Sequence, residues 1–247
     1  CKLFRRDGSY INKIGSIGQG PGEYKNIYDA QIDEVSGRIY LLPWSTNCIL
    51  VYDLQGKFER YIPLNQKYAN MVAPKGTFHV DAEKNRISVV ALPFPNLPVV
   101  AWVQDMEGNY IHEIPAPHLR IAFDFSNEVE APRATEGDLS FHISTFFEPR
   151  QDTLYHLNAE KGKLSPRFTI DFGSRKIGPH HFYELPSHYY GYVSDIKQTN
   201  QNLFDYDNLS VCNRCNNIIL TYSLPLRYSE EKEHESHEED WNDGQKV

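Results

Sequence analysis

The chain has 247 residues, enough for one large all-β domain or two ordinary ones, and its sixteen Tyr, thirteen Phe and three Trp against two Met favour ring-packed pleated sheets over helix bundles. Most of the net charge of −8 lies in residues 230–247, which hold eight acidic and two basic side chains and leave 25 acidic and 23 basic over the rest. A nearly neutral body without a cluster of Lys and Arg argues against nucleic acid as a partner.

The chain opens CKLFRRDG, without the basic start, apolar run and cleavage site of a signal peptide. Cys1 is read as a strand residue rather than an acylated lipoprotein residue, because strand-like residues follow at once where a polar tether would be needed. A turn signature then recurs: FRRDGSYINKI at 4–14, YDLQGKFERYI at 52–62, QDMEGNYIHEI at 104–114 and LNAEKGKLSPRFTI at 157–170. Its glycines, Gly8, Gly56, Gly108 and Gly162, are 48, 52 and 54 residues apart, close to one four-stranded propeller blade. Asp or Asn accepts hydrogen bonds from the following amides, while Gly takes a left-handed conformation, so each copy predicts a strand, a tight turn and a strand.

Two further strand-like runs precede each signature: DAQID and GRIYLLP, then TFHVD and NRISVVAL, then LSFHIS and a weak TFFEP. CILVYDL and VVAWVQD are apolar on consecutive residues, which predicts sheets covered on both faces, as stacked blades are. The apolar run at 89–103 is too short to span a bilayer and is broken by three prolines, so no transmembrane segment is expected. HYYGYVSDIKQ and NNIILTYSLPLRY add two strands without a turn signature, and the opening adds a signature without inner strands, so the termini are expected to share a blade. The fold class is all-β, a β-propeller of four-stranded antiparallel blades, about four of them visible. Residues 1–228 are assigned to the propeller and 229–247 to an acidic, solvated tail.

GSIGQGPGEY, YDLQGKF, DTLYHLN (152–158) and RFTIDFG (167–173) resemble the six-bladed propeller proteins of bacterial envelopes, related to NHL-repeat and TolB-like propellers. The resemblance implies a six-bladed ring, with a further blade either missing from this chain or hidden within residues 115–138. It also implies a periplasmic or outer-membrane lipoprotein location. That family carries no settled activity, so no catalytic residue is transferred from it.

The loop GSIGQGPGEYKN (15–26) is not a phosphate cradle. It lacks the Lys-Ser/Thr pair of a Walker loop, its glycines are misspaced for a dinucleotide fingerprint, and no helix follows. It reads instead as the joint between one blade's outer strand and the next blade's inner strand, with Glu23 and Tyr24 expected near the channel mouth. Glu23 either contributes to a ligand site or merely accepts backbone amides and pins the joint.

Aligning the runs read as inner strands places Gln31, His79, His142 and Tyr192 at matching positions. Such a ring either lines the channel and binds a ligand or packs between blades with satisfied hydrogen bonds. Together with Glu23 and Tyr24 these four form the expected ligand-binding set, and Asp29, Asp33 and Asp81 offer carboxylates for a divalent cation. No cofactor is otherwise expected. Cys212 and Cys215, with His234 and His237, nearly spell a zinc site, but the spacing is wrong and a strand intervenes; a local disulfide or free thiols is the default. His180, His181 and His188 are read as belonging to a Pro-bounded surface loop. No GxSxG, HExxH or kinase signature occurs. The expected function is a non-enzymatic binding or scaffold propeller of the bacterial envelope that recognises a protein or glycan on its top face. The alternative is a metal-dependent lyase or lactonase with a cation in the channel.

Overall fold

A computed structural model describes residues 1–44, 46–65, 67, 76–95, 97, 99–124, 126–131, 139–174, 176–185, 188–195, 205–213 and 219–222, with backbone only at 188, 194–195, 205–213 and 219–222. A hairpin comes first, β1 (Lys2–Phe4) with β2 (Tyr10–Lys13), followed by a short parallel pair, β3 (Ser16–Ile17) with β4 (Glu23–Tyr24). Four antiparallel sheets then follow in simple meander order. The first is β5 (Ile27–Asp33), β6 (Arg38–Pro43), β7 (Cys48–Asp53) and β8 (Phe58–Pro63). The second is β9 (Gly76–Asp81), β10 (Arg86–Ala91), β11 (Ala101–Gln104) and β12 (Tyr110–Ile114). The third is β13 (Glu128–Glu130), β14 (Leu139–Ser144), β15 (Thr153–Asn158) and β16 (Lys163–Thr169), and the fourth is β17 (His180–Glu184), β18 (His188–Asp195), β19 (Asp205–Asn213) and β20 (Ile219–Tyr222).

The turns form as the signature predicts. Asp53 Oδ1 accepts the amides of Gln55 and Lys57 at 2.9 and 2.8 Å, and Asp105 Oδ1 those of Glu107 and Asn109 at 3.0 and 2.7 Å. The four signature glycines all have positive φ, from 58° to 87°.

The middle strands β6, β7, β10, β11 and β14 are buried along nearly their whole length, and the residues of one strand divide between two cores. On β6 and β7, Tyr40, Leu42, Ile49 and Val51 face the second sheet, where they meet Phe78, Ile87 and Trp102. Their neighbours Ile39, Leu41, Leu50 and Tyr52 face the other way, towards Ile14 and Tyr24. Trp102 on β11 looks back to the first sheet, while Ala101 and Val103 look forward to Leu139, Phe141 and Ile143. Side chains alternate across a strand, so this division means that the sheets stack face to face in sequence order. Their first strands gather on one side: β9 contacts both β5 and β13, and the Tyr28 hydroxyl donates to Glu128, from the first sheet to the third. The outermost strands β8, β12 and β16 are half exposed. Stacked four-stranded meanders with their first strands around a common axis make the fold an all-β propeller.

Three expectations need correction. Residues 115–138 hold no further blade among the described residues, but a single 3-10 turn (Pro117–Leu119) and the innermost strand β13. LSFHIS is therefore the second strand of its sheet, and TFFEP is irregular. The last block builds a four-stranded sheet of its own, with HHFYE as its first strand, and among the described residues none of it pairs with β1 or β2. The three-residue β13 is too short and too charged to stand out beside the fully buried LSFHIS, and that displaced the strand count by one.

Candidate functional site

A cleft of about 380 Å³ lies where the N-terminal ends of β5, β9 and β13 converge, bordered by Tyr28, Asp29, Gly76, Thr77, Glu128 and Glu130. Gly76 at the start of β9 lies tight against its own sheet, because a Cβ there would stand 2.3 Å from the Val90 carbonyl oxygen on β10. The β5–β6 register slips between Ile27 and Asp29, which makes Tyr28 an extra, bulged residue. A bulge re-aims a side chain, and here it sends the Tyr28 ring across the axis to Glu128. Burial and then the Glu128 carboxylate push the Tyr28 phenol far above its ordinary range, so it stays a donor. Trp44, on the turn after β6, is 39 % exposed and lies 5.6 Å from the Tyr28 ring. On the other side of the cleft, Asp29 Oδ2 accepts the Thr77 hydroxyl at 2.7 Å and ties β5 to β9.

Behind the cleft, Glu130 connects to a layer of histidines between the third and fourth sheets. Its carboxylate accepts His181 Nδ1–H at 2.7 Å, and His142 Nε2 lies 3.1 Å away. Burial alone would raise this carboxyl, but the imidazoles of His142 and His181 outweigh it and hold Glu130 down at about 2. His142, fully buried, has Asp152 at 3.4 Å from its Nδ1 and the Phe182 amide nitrogen at 3.2 Å from its Nε2. Burial disfavours its imidazolium, yet Asp152 and Glu130 more than offset that and raise its pKa. Nε2 can serve only one partner at a time, as an N–H donating to Glu130 or as a lone pair accepting from Phe182. His180 Nδ1 donates to the Gly178 carbonyl at 2.9 Å and its Nε2 accepts the Asp152 amide at 3.4 Å. Burial, only partly opposed by the Gly178 carbonyl and Asp152, lowers the His180 pKa. His156 and Glu184, both buried, meet at 2.7 Å across the same seam.

The expected ring of Gln31, His79, His142 and Tyr192 is not one ring. Gln31 and His79 do lie on the innermost strands β5 and β9, whereas His142 and Tyr192 lie on the second strands β14 and β18. Gln31 clasps the Val80 backbone with both amide atoms, at 2.9 and 2.8 Å, and so joins the first two sheets. His79 is half-buried on the face of β9 opposite Phe78 and Val80. The Tyr192 ring lies 6.1 Å from that of His181. Glu23 accepts the Gly20 amide at 2.8 Å and the Ser16 hydroxyl at 3.0 Å, so hydrogen bonds hold its carboxyl below the ordinary range. Tyr24 is buried against Ile14, Leu50 and Tyr52, and neither residue lines the axial cleft.

His180 and His181 belong to an innermost strand and not to a surface loop, which is a further correction. Asp33 and Asp81 cap the β5–β6 and β9–β10 turns through Val35 and Lys84. Among the described residues no three carboxylate, imidazole or thiol groups converge as a cation would require. Cys215, His234, His237 and the tail at 229–247 lie outside the described residues, as does the Cys212 side chain. Among the described residues no helix is long and apolar enough to cross a membrane. Sequence reasoning missed Tyr28, Trp44, Thr77, Glu128 and Glu130. The usable signal was the aromatic and acidic content at strand starts, IYD and EVE, of which the first does not alternate like a strand and the second is only three residues long.

The family described as "Domain of unknown function (DUF4934)" matches residues 1–234. No curated protein matches. Among solved structures, the chain is similar to a Bacteroides fragilis protein described as exported, with a TM-score of 0.60 and 11% identity over 90% of this chain and 65% of that one. It is similar to a DUF4221 family member from Bacteroides vulgatus, with a TM-score of 0.59 and 10% identity over 90% and 74%. The β-propeller domain of the Trilobed protease from Pyrococcus furiosus gives 0.44 and 11% over 81% and 57%. The chain thus spans less than two thirds of the Bacteroides fragilis protein's length.

Proposed function

The chain belongs to the DUF4934 family, and we propose that it is an exported, non-enzymatic binding propeller that holds a protein or glycan ligand of the bacterial envelope in its axial cleft. One observation carries this reading: a bulge on the innermost strand turns Tyr28 towards Glu128 two sheets away, beside the exposed ring of Trp44. A ring with an apolar face next to carboxylates that accept hydrogen bonds suits hydroxyl-bearing or amide-bearing ligands. Export is supported by the description of the Bacteroides fragilis relative, and the six-bladed envelope architecture by the resemblance of the GQGPGEY loop. The reading calls on no cation and on no catalytic group.

Screening the protein against arrays of envelope glycans and envelope proteins tests it. A ligand should emerge whose affinity falls about tenfold or more in Trp44→Ala, as expected for loss of a central aromatic contact. An empty screen, or a ligand indifferent to both Trp44→Ala and Glu128→Gln, would overturn the assignment.

A further inference from the structure

The first seam shows how a side chain can hold a neighbouring sheet's backbone without titrating: Gln31 Oε1 accepts the Val80 amide at 2.8 Å. At the third seam imidazoles occupy that role. The Phe182 amide, on the fourth sheet, points at Nε2 of His142 on the third, and the Asp152 amide, on the third, points at Nε2 of His180 on the fourth. We propose that the seam between the third and fourth sheets is a proton-operated joint, in which each proton taken up at Nε2 of His142 or His180 removes a backbone hydrogen bond that crosses it.

The consequence differs at the two sites. A proton on His142 Nε2 turns that atom towards Glu130, which lies on His142's own sheet, so a bond between sheets is exchanged for one within a sheet. A proton on His180 Nε2 sets an N–H against the Asp152 N–H, because Nδ1 is already committed to the Gly178 carbonyl. The groups facing these rings are known on every side. Glu130 comes from β13, and Asp152 from the segment before β15, with Arg150 beside it. His181 comes from β17, with the Tyr192 ring of β18 against it. The two carboxylates draw a proton to His142, while burial against Phe172 and Phe182 resists one on His180. The joint therefore works in two steps, His142 first as pH falls. Two contacts survive both steps, His181 to Glu130 and His156 to Glu184, since a carboxylate holds an imidazolium at least as well as an imidazole. Acid thus loosens the seam without parting the sheets. Because Glu130 also borders the cleft, the loosening reaches the ligand site.

Native-state amide hydrogen exchange on the intact chain tests this, with the Val80 amide as the matched reference. As the pH is lowered from about 8 to about 5, protection of the Phe182 amide should fall first and that of the Asp152 amide after it, each about tenfold relative to Val80, after correction for intrinsic exchange. His142→Gln and His180→Gln supply a non-titrating acceptor of the kind found at Gln31, and should make the ratio for their own amide independent of pH. Unchanged ratios in the parent protein would overturn the proposal, as would a pH response that persists in both variants. Should either variant fail to fold, imidazole nitrogen shifts of the parent protein decide. A single unchanging protonation state at both Nε2 atoms from about pH 8 to pH 5 would also overturn it.

Discussion

Glu130 shows how one side chain can be set by its neighbours. Burial opposes its charge, two imidazoles support it, and the imidazoles prevail, which leaves it near 2. A carboxyl depressed in this way contributes stability above the ordinary carboxylate range of about 4.3 and loses it as pH falls towards the folded value. For His142 the sign is reversed. Its raised pKa contributes stability below about 6.5 that fades as pH rises through the folded value, whereas the lowered His180 contributes above about 6.5 and is lost below it. Glu130→Gln should therefore lower the titration midpoint of His142, read from its ring proton shifts, because one of its two counter-charges is gone. An unmoved midpoint would mean that Asp152 alone sets it. Little of this was legible in the sequence. EVE is three residues of an unremarkable kind, and its meaning comes from two histidines 12 and 51 positions away.

The elements were legible where local chemistry dictates them. The signature turns announce themselves because an Asp or Asn side-chain oxygen and a left-handed glycine act within five residues, and every signature formed its hairpin. Innermost strands were harder, since half exposure and bulges erase the alternation by which a strand is recognised. The GQGPGEY loop belongs with the legible elements. It is a joint, as read, with Gly22 donating its amide to the Tyr61 hydroxyl at 3.0 Å and its carbonyl accepting from Tyr52. Two glycines separate the reasons for this composition. Gly8 has φ +85° and open space around it, while Gly22 has φ +71° and a Phe58 side chain 2.6 Å from where a Cβ would sit. Alanine at Gly8 should cost about 1 kcal/mol for the backbone conformation alone. Alanine at Gly22 should cost that and a further 1–3 kcal/mol or so for the clash, measured by urea unfolding. Equal losses at the two sites would mean that the loop can shift away from Phe58.

At the scale of the molecule, successive residues of one strand belong to different interfaces. Ile49 faces the second sheet and Leu50 faces the opening hairpin and loop, though they are neighbours in the chain. Ile49 and Trp102 are 53 positions apart and share one core. Energetic coupling should therefore follow the stacking of the sheets and ignore distance along the chain. Alanine at each of the three positions removes fully or almost fully buried apolar volume, at about 2–5 kcal/mol apiece. Combining Ile49→Ala with Trp102→Ala should depart from additivity by about 0.5 kcal/mol or more, because the two vacated spaces adjoin one core and relax together. Pairing Leu50→Ala with Trp102→Ala should add within about 0.5 kcal/mol, since the first sheet itself stands between them. A two-layer arrangement would give a different pattern, because side chains alternate across a strand, so only one of Ile49 and Leu50 would face its single core and alanine at the other would cost little. Single variants and double-mutant cycles by urea unfolding thus test the radial stacking through its energetics, and a negligible cost at either Ile49 or Leu50, or comparable coupling in the two pairs, would contradict it.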